Sequence, residues 1–156
     1  MKIQRGAVVV EAALTMTTLF VFLLGIMEAG RFFQVQQFLT GAAHEGARLG
    51  VRSVTGRNYN SYLNRDDIAT TVTSFLSDAG VQVSPANVAV DCLDLTHGGT
   101  IISAGAACTT GCPDTTTVCG TRVVVSMEYE ILTLSMFTNL HIPLTGKALM
   151  RNETPY

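Results

Sequence analysis

The stretch that decides the fold is AVVVEAALTMTTLFVFLLGIM, at residues 7–27. It carries a single charged side chain, Glu11, five residues from its start. As a helix rising about 1.5 Å per residue, 21 residues extend roughly 31 Å, which is the thickness of a bilayer's hydrocarbon core. The eleven Leu, Ile, Val and Phe side chains favour insertion more than one carboxylate near the interface opposes it. The sequence therefore predicts one transmembrane helix.

The charges that flank this stretch predict its orientation. Lys2, Arg5 and the terminal amine precede it, whereas Glu28 and Arg31 follow it and cancel. Positively charged flanks stay in the cytoplasm. We therefore expect a cytoplasmic leader at residues 1–6, a span at residues 7–27 and a periplasmic domain at residues 28–156, in a single-pass protein of a bacterial inner membrane.

Three interpretations of the N-terminus compete. A secretory signal peptide has an apolar region of about 7–15 residues without an acidic side chain, and this run is longer and contains Glu11. A plain membrane anchor accounts for the length and the orientation but gives no reason for the carboxylate. The third interpretation is a precursor that is processed after the leader.

The third interpretation follows from a resemblance. Gly6, Ala7 and Glu11 are placed as at the processing site of type IV prepilins, which this segment resembles. The resemblance implies that prepilin peptidase cuts between Gly6 and Ala7. It also implies that Glu11 then pairs with the new N-terminal amine of a neighbouring subunit.

Two further segments, residues 25–52 and 146–153, resemble the TadE-like assembly proteins of the tight-adherence (Tad) pilus. The small major pilins of that system usually have an aromatic residue where this chain has Ala12, and they are much shorter, so the resemblance favours a minor pseudopilin. It implies a role in pilus biogenesis, with prepilin peptidase, other pseudopilins and pilins, the inner-membrane assembly platform and membrane lipid as partners.

The remaining pattern predicts an α+β, pilin-like fold. The first helix continues beyond the membrane, with small residues Ala42, Gly46 and Gly50 in one row that packs on another subunit or on the protein's own sheet. A second helix is expected between Asn64 and Gly80. Alternating apolar residues then predict an antiparallel sheet of about three to four strands, around residues 88–92, 121–131 and 142–151.

All four cysteines lie close together in the sequence. Cys92 falls on a predicted strand, and Cys108, Cys112 and Cys119 follow in a Gly- and Thr-rich loop at residues 96–120. In a periplasmic domain two disulfides are expected, with three possible connectivities that the spacing does not separate. A zinc site is the alternative, but the spacing is not one usual for zinc ligands.

Other functions find no support in the sequence. A net charge of −2 without a basic stripe argues against nucleic-acid binding. His44 and Glu45 begin like a zinc-protease motif, but Arg48 stands where the second histidine is required. We therefore expect no catalytic residues, no metal and no cofactor. The alternative function is a membrane-anchored periplasmic binding or adhesive module that is not processed.

Overall fold

The computed structural model describes residues 3–55, 65–105, 108, 117–131 and 140–151. Within these residues the fold is α+β, as predicted, with a long N-terminal helix, a second helix and a four-stranded antiparallel sheet. The chain forms two compact units. One comprises Met1–Gln34 with Tyr129–Ile142, and the other comprises Val35–Glu128 with Pro143–Tyr156.

Helix α1 is continuous over Ile3–Thr55, a length of 53 residues. The first proline of the sequence is Pro85, so no residue of α1 lacks the amide that a helix needs. At about 1.5 Å per residue the helix is roughly 80 Å long. The predicted span at residues 7–27 is therefore the first part of one uninterrupted helix.

Helix α2 covers Arg65–Asp78 and buries Ile68, Ala69, Val72 and Leu76. Gly80, two residues after the end of the helix, has a φ of +79°, a conformation that glycine adopts without strain. The amide of Gly80 donates to the carbonyl of Ser77, and the amide of Val81 donates to that of Leu76. These two bonds form a Schellman motif at the predicted stop. The predicted cap, Asn64, lies outside the described residues.

The sheet has the order β2-β1-β3-β4. Its strands are β1 (Val88–Asp94), β2 (Thr100–Ala104), β3 (Cys119–Glu130) and β4 (His141–Arg151), and a 3-10 turn at Pro85–Asn87 precedes β1. Strand β1 pairs antiparallel with both β2 and β3, with Val90 opposite Val123. Because side chains alternate along a strand, these valines share the face that is buried.

Strand β2 lies inside the segment that was expected to be a loop, residues 96–120. The Asp94 carboxylate accepts hydrogen bonds from the amides of Thr96 and His97, which turns the chain. Gly98 and Gly99 both have a φ of +79°, and the amide of Gly99 donates to the carbonyl of Asp94. The chain is thereby returned alongside β1 as a hairpin, and the first part of the predicted loop is strand.

The core of the second unit lies between the later part of α1, helix α2 and the sheet. Its largest fully buried aliphatic side chains come from all three. They are Leu39 of α1, Ile68, Val72 and Leu76 of α2, and Val88, Val90, Val123 and Val125 of the sheet. Burial alternates as predicted over residues 88–90 of β1 and 121–126 of β3, whereas Asp91, expected on the outer face, is buried, and Met127, expected on the inner face, is only partly buried.

Candidate functional site

The first part of α1 exposes an apolar surface that no described residue covers. Phe20 is 62% exposed and Ile26 is 69% exposed. An 18-residue window of this helix has a mean hydropathy of 2.2, and none of that window is buried. By length and composition the helix could cross a membrane, which would remove this surface from water.

Gly6, Ala7 and Glu11 lie on this exposed part of α1. A Cβ atom placed on Gly6 would meet nothing within 4 Å, so no described side chain packs against this position. Among the side chains that the structure describes, none forms an ion pair or hydrogen bond with the Glu11 carboxylate. Glu11 is therefore a carboxylate in an apolar surface without a partner among the described residues.

The side chains of the neighbouring threonines, in contrast, have hydrogen-bond partners within the helix. The Thr15 hydroxyl donates to the backbone carbonyls of Glu11 and Ala12, at 3.0 Å each, and the Thr18 hydroxyl donates to the carbonyl of Leu14 at 2.9 Å. A hydroxyl that donates a hydrogen bond to a carbonyl of its own helix can lie in hydrocarbon, because its donor is satisfied. Of the side chains of Glu11, Thr15 and Thr18, only the Glu11 carboxylate has no hydrogen-bond or ion-pair partner among the described residues.

The small residues Ala42, Gly46 and Gly50 are buried within their own chain. A Cβ on Gly46 would come within 2.6 Å of the Val72 side chain, and one on Gly50 within 2.8 Å of the Thr121 side chain. The row therefore packs within its own chain, on the sheet strand β3 and also on α2, which was not among the surfaces expected for it. Its small side chains let the helix approach these elements closely.

Gly146 lies at a close contact between β4 and α1. In the sequence it stood out only as the first residue of the segment at residues 146–153 that resembles TadE-like proteins. A Cβ at this residue would overlap the α1 backbone at Leu39 and Thr40. One residue earlier, the carbonyl of Thr145 accepts a hydrogen bond of 2.9 Å from the Gln36 side chain. Strand β4 and helix α1 thus touch backbone to backbone. A glycine within an alternating strand is the signal that could have indicated this contact.

Glu28 and Tyr129 form a second arrangement that the sequence analysis missed. The Tyr129 hydroxyl donates to the Glu28 carboxylate at 2.8 Å, and the Tyr129 ring meets Phe32 edge to face, with centroids 5.8 Å apart. The Arg31 guanidinium lies 3.9 Å from the other Glu28 oxygen. Burial of the ring, followed by the hydrogen bond and charge of Glu28, raises the pKa of Tyr129, against a smaller opposing effect of Arg31.

No local sequence signal could have paired these two residues, because 101 positions separate them. Glu28 had entered the sequence analysis only as a flanking charge that Arg31 cancels. In the structure it joins the end of β3 to α1, one residue beyond the predicted span.

A disulfide is present among the cysteines, as expected. Cys92 is bonded to Cys108, with Cα atoms 4.9 Å apart, and this pair belongs to one of the three connectivities that the spacing left open. Cys119 is also disulfide-bonded, and Cys112 lies outside the described residues. The three described sulfurs lie within 4.8 Å of one another. Since each is already bonded, the cluster holds no free thiolate to offer a metal in this form.

The described histidines do not assemble a site. The His97 ring lies 2.7 Å from the Asp94 carboxylate, and its side chain is 73% exposed. Partial burial of Asp94 acts to raise its pKa, but hydrogen bonds from His97 and Thr96 outweigh this and lower the pKa of Asp94. Because that carboxylate also holds the β1–β2 turn, the pair has a structural role. His44 is exposed beside the Glu45–Arg48 ion pair.

Residues 6–48 match the family model of TadE-like proteins. No curated protein and no solved structure matches the chain. The matched segment begins at Gly6, includes Glu11 and the exposed apolar surface, and ends between Gly46 and Gly50.

Proposed function

Since the chain is TadE-like over residues 6–48, which associates it with the Tad pilus, we propose that it is a minor pseudopilin needed for assembly of a tight-adherence type IV pilus. Prepilin peptidase removes residues 1–6 by cutting after Gly6. The mature chain then enters the assembly machinery through α1. Its partners are other pseudopilins and pilins and the inner-membrane assembly platform.

The observation that supports this proposal best is that the Glu11 carboxylate lies in an apolar helix surface and has no partner among the described residues. A carboxylate in hydrocarbon is costly until it finds a cation. Cleavage at Gly6 creates such a cation, the amine of Ala7, at a fixed place on every subunit. Ala7 and Glu11 are four residues apart, about 6 Å along the helix, so a parallel neighbour displaced by roughly one turn brings its amine to Glu11. The pairing becomes available only after processing.

The proposal includes an orientation. The N-terminus lies in the cytoplasm and the sheet lies in the periplasm, since the basic side chains Lys2 and Arg5 precede the span. The Cys92–Cys108 disulfide supports this assignment, because disulfides persist in oxidising compartments such as the periplasm.

Processing is tested by intact-mass and N-terminal analysis of protein purified from membranes of cells that supply prepilin peptidase. The wild-type chain is expected to begin at Ala7. The variant Gly6→Val is expected to retain Met1. Gly25→Val is the matched control, because a Cβ at either glycine meets nothing within 4 Å, and it is expected to be processed normally.

A wild-type chain that keeps its leader in the presence of the peptidase would refute processing. A start beyond residue 25 would identify a secretory signal instead. The assembly role is tested separately with Glu11→Ala, which is expected to abolish piliation, with Glu45→Ala, whose side chain is 40% exposed, as the control on the same helix. Normal piliation by Glu11→Ala would favour the anchored binding or adhesive module.

A further inference from the structure

Three sulfur atoms share one buried place in the second unit. The Sγ atoms of Cys92, Cys108 and Cys119 all lie within 4.8 Å of one another, and each of the three residues is 3% exposed or less. Cys92 lies on β1 and Cys119 begins β3. The antiparallel register of these strands places Asp94 opposite Cys119, only two residues along β1 from Cys92. The sheet therefore brings the sulfurs together, although the cysteines are spread along the sequence.

The sulfur of Cys108 contacts both strands. It is bonded to Cys92 on β1. It also lies 3.4 Å from the carbonyl oxygen of Gly120 on β3, the residue that follows Cys119. Cys108 therefore lies between the two strand cysteines, and its sulfur is the one that both of them can reach.

This cluster of three sulfurs bears on the connectivities that the cysteine spacing left open. Four cysteines form two disulfides in three ways, and each way joins a different member of the cluster to the fourth cysteine, Cys112. Disulfides exchange when a thiolate attacks one sulfur of the bond and displaces the other. Burial keeps external thiols away from the Cys92–Cys108 bond, because exchange requires access to the sulfur. The attacking group within reach of this bond is therefore the third sulfur of the cluster, whenever it is reduced.

We propose that Cys92, Cys108 and Cys119 form an intramolecular thiol–disulfide exchange site in which Cys108 is the shared partner. In a chain whose second disulfide has not yet closed, the Cys119 thiol loses its proton to solvent and the thiolate attacks the Cys108 sulfur. The Cys108–Cys119 bond forms as the Cys92–Cys108 bond breaks, and the electron pair leaves on Cys92, which takes up a proton.

The reverse step restores the pair found in the structure. Neither direction changes the number of disulfides, so the exchange needs no oxidant and no reductant. The site thus lets the folded sheet select its pairing before Cys112 closes the last disulfide. The inference depends on the sulfur cluster and not on leader cleavage or piliation.

Cys112→Ser isolates the exchange, because it leaves three cysteines that hold one disulfide and one thiol. The full chain is purified in detergent under non-reducing conditions and incubated in its folded state. It is then unfolded in an excess of N-ethylmaleimide, and peptide mapping without reduction locates the labelled cysteine. Cys112→Ala takes the place of Cys112→Ser if the serine variant does not fold.

Two controls accompany this variant. Cys112→Ser combined with Cys119→Ser has Cys92 and Cys108 as its remaining cysteines, and it is expected to carry no label. Cys112→Ser incubated in denaturant before alkylation is expected to carry label on all three cysteines, because in the unfolded chain any of the sulfurs can attack any bond.

The expected result for the folded Cys112→Ser chain is label divided between Cys92 and Cys119, with Cys108 retained in the disulfide. Label on Cys119 alone would overturn the proposal, because the Cys92–Cys108 bond would then not exchange. Label on Cys108 as abundant as that on Cys119 would also overturn it, because Cys108 would then not be the shared partner. Failure of leader cleavage or of piliation leaves this readout unchanged, so the two proposals fail separately.

Discussion

The Tyr129 hydroxyl donates a 2.8 Å hydrogen bond to the carboxylate of Glu28, a residue 101 positions earlier in the chain. Tyr129 is 5% exposed, and the Glu28 side chain is 14% exposed. A bond of this kind, with a charged acceptor and little water, is worth more than one between neutral groups. It ties the end of β3 to α1 beside the predicted span.

Because of this bond, Tyr129 is expected to lose its proton at a higher pH than an ordinary tyrosine. Its pKa is expected above the ordinary value of about 10, because burial and the negative charge of Glu28 both disfavour the phenolate. A raised pKa means that the stabilisation is complete below about pH 10 and is lost as the pH rises through the folded-state pKa. The difference in phenolate absorbance between wild type and Tyr129→Phe measures this titration.

Glu28→Gln is the companion variant. It keeps the size of the side chain but removes the charge, so the pKa of Tyr129 is expected to fall toward its ordinary value. A wild-type titration of Tyr129 at or below that of the tyrosines in the unfolded chain would contradict the arrangement.

Gly146→Ala is expected to destabilise the fold by about 2–3 kcal/mol, because the added methyl group meets backbone that cannot rotate away. Gly41→Ala is the control, since its Cβ would meet only the Phe75 ring, at 4.0 Å. Alanine is also a better helix former, so this control is expected to be neutral or stabilising by up to about 1 kcal/mol. Urea unfolding of the full chain in detergent, followed by circular dichroism, compares them. Equal midpoints would refute the close contact between β4 and α1.

The β1–β2 turn is expected to depend on pH through Asp94. The lowered pKa of this carboxyl means that its stabilising contribution is present above the unfolded value of about 3.9 and is lost as the pH falls through the folded-state value. Hydrogen exchange at the amides of Thr96 and His97, measured by NMR, should therefore quicken at low pH. Asp94→Asn should abolish this dependence, whereas Asp78→Asn, at the exposed end of α2, should preserve it.

The disulfide prediction concerns both connectivity and stability. Peptide mapping under non-reducing conditions is expected to recover Cys92 linked to Cys108, and Cys119 linked to the remaining cysteine, Cys112. Replacing Cys92 and Cys108 together with alanine is expected to cost about 3 kcal/mol, the value for a closed loop of similar length, since 16 positions separate the two cysteines. Recovery of Cys92 linked to Cys119 would contradict the structure, and four free thiols in the denatured chain would exclude both disulfides.

Much of the fold could be predicted because its signals are local. The predicted span lies within one helix, since composition and the absence of proline act residue by residue. The buried faces of β1 and β3 follow from alternation, and the stop of α2 follows from Gly80. Strand β2 was missed because its glycine-rich surroundings resemble a loop. The turn before β2 depends on hydrogen bonds to the Asp94 carboxylate, and these cannot be inferred from the composition of the segment.

The sequence by itself determined the apolar helix, the single carboxylate of Glu11 within it and the approximate positions of β1, β3 and β4. Each of these depends on residues a few positions apart. Only the tertiary structure decided that Glu28 binds Tyr129, that Gly146 lies on the α1 backbone and that Cys92 pairs with Cys108. Such contacts close long stretches of chain, and the entropy of closing them is offset only when the whole core forms. Their partners are therefore chosen by the fold, and not by neighbouring residues.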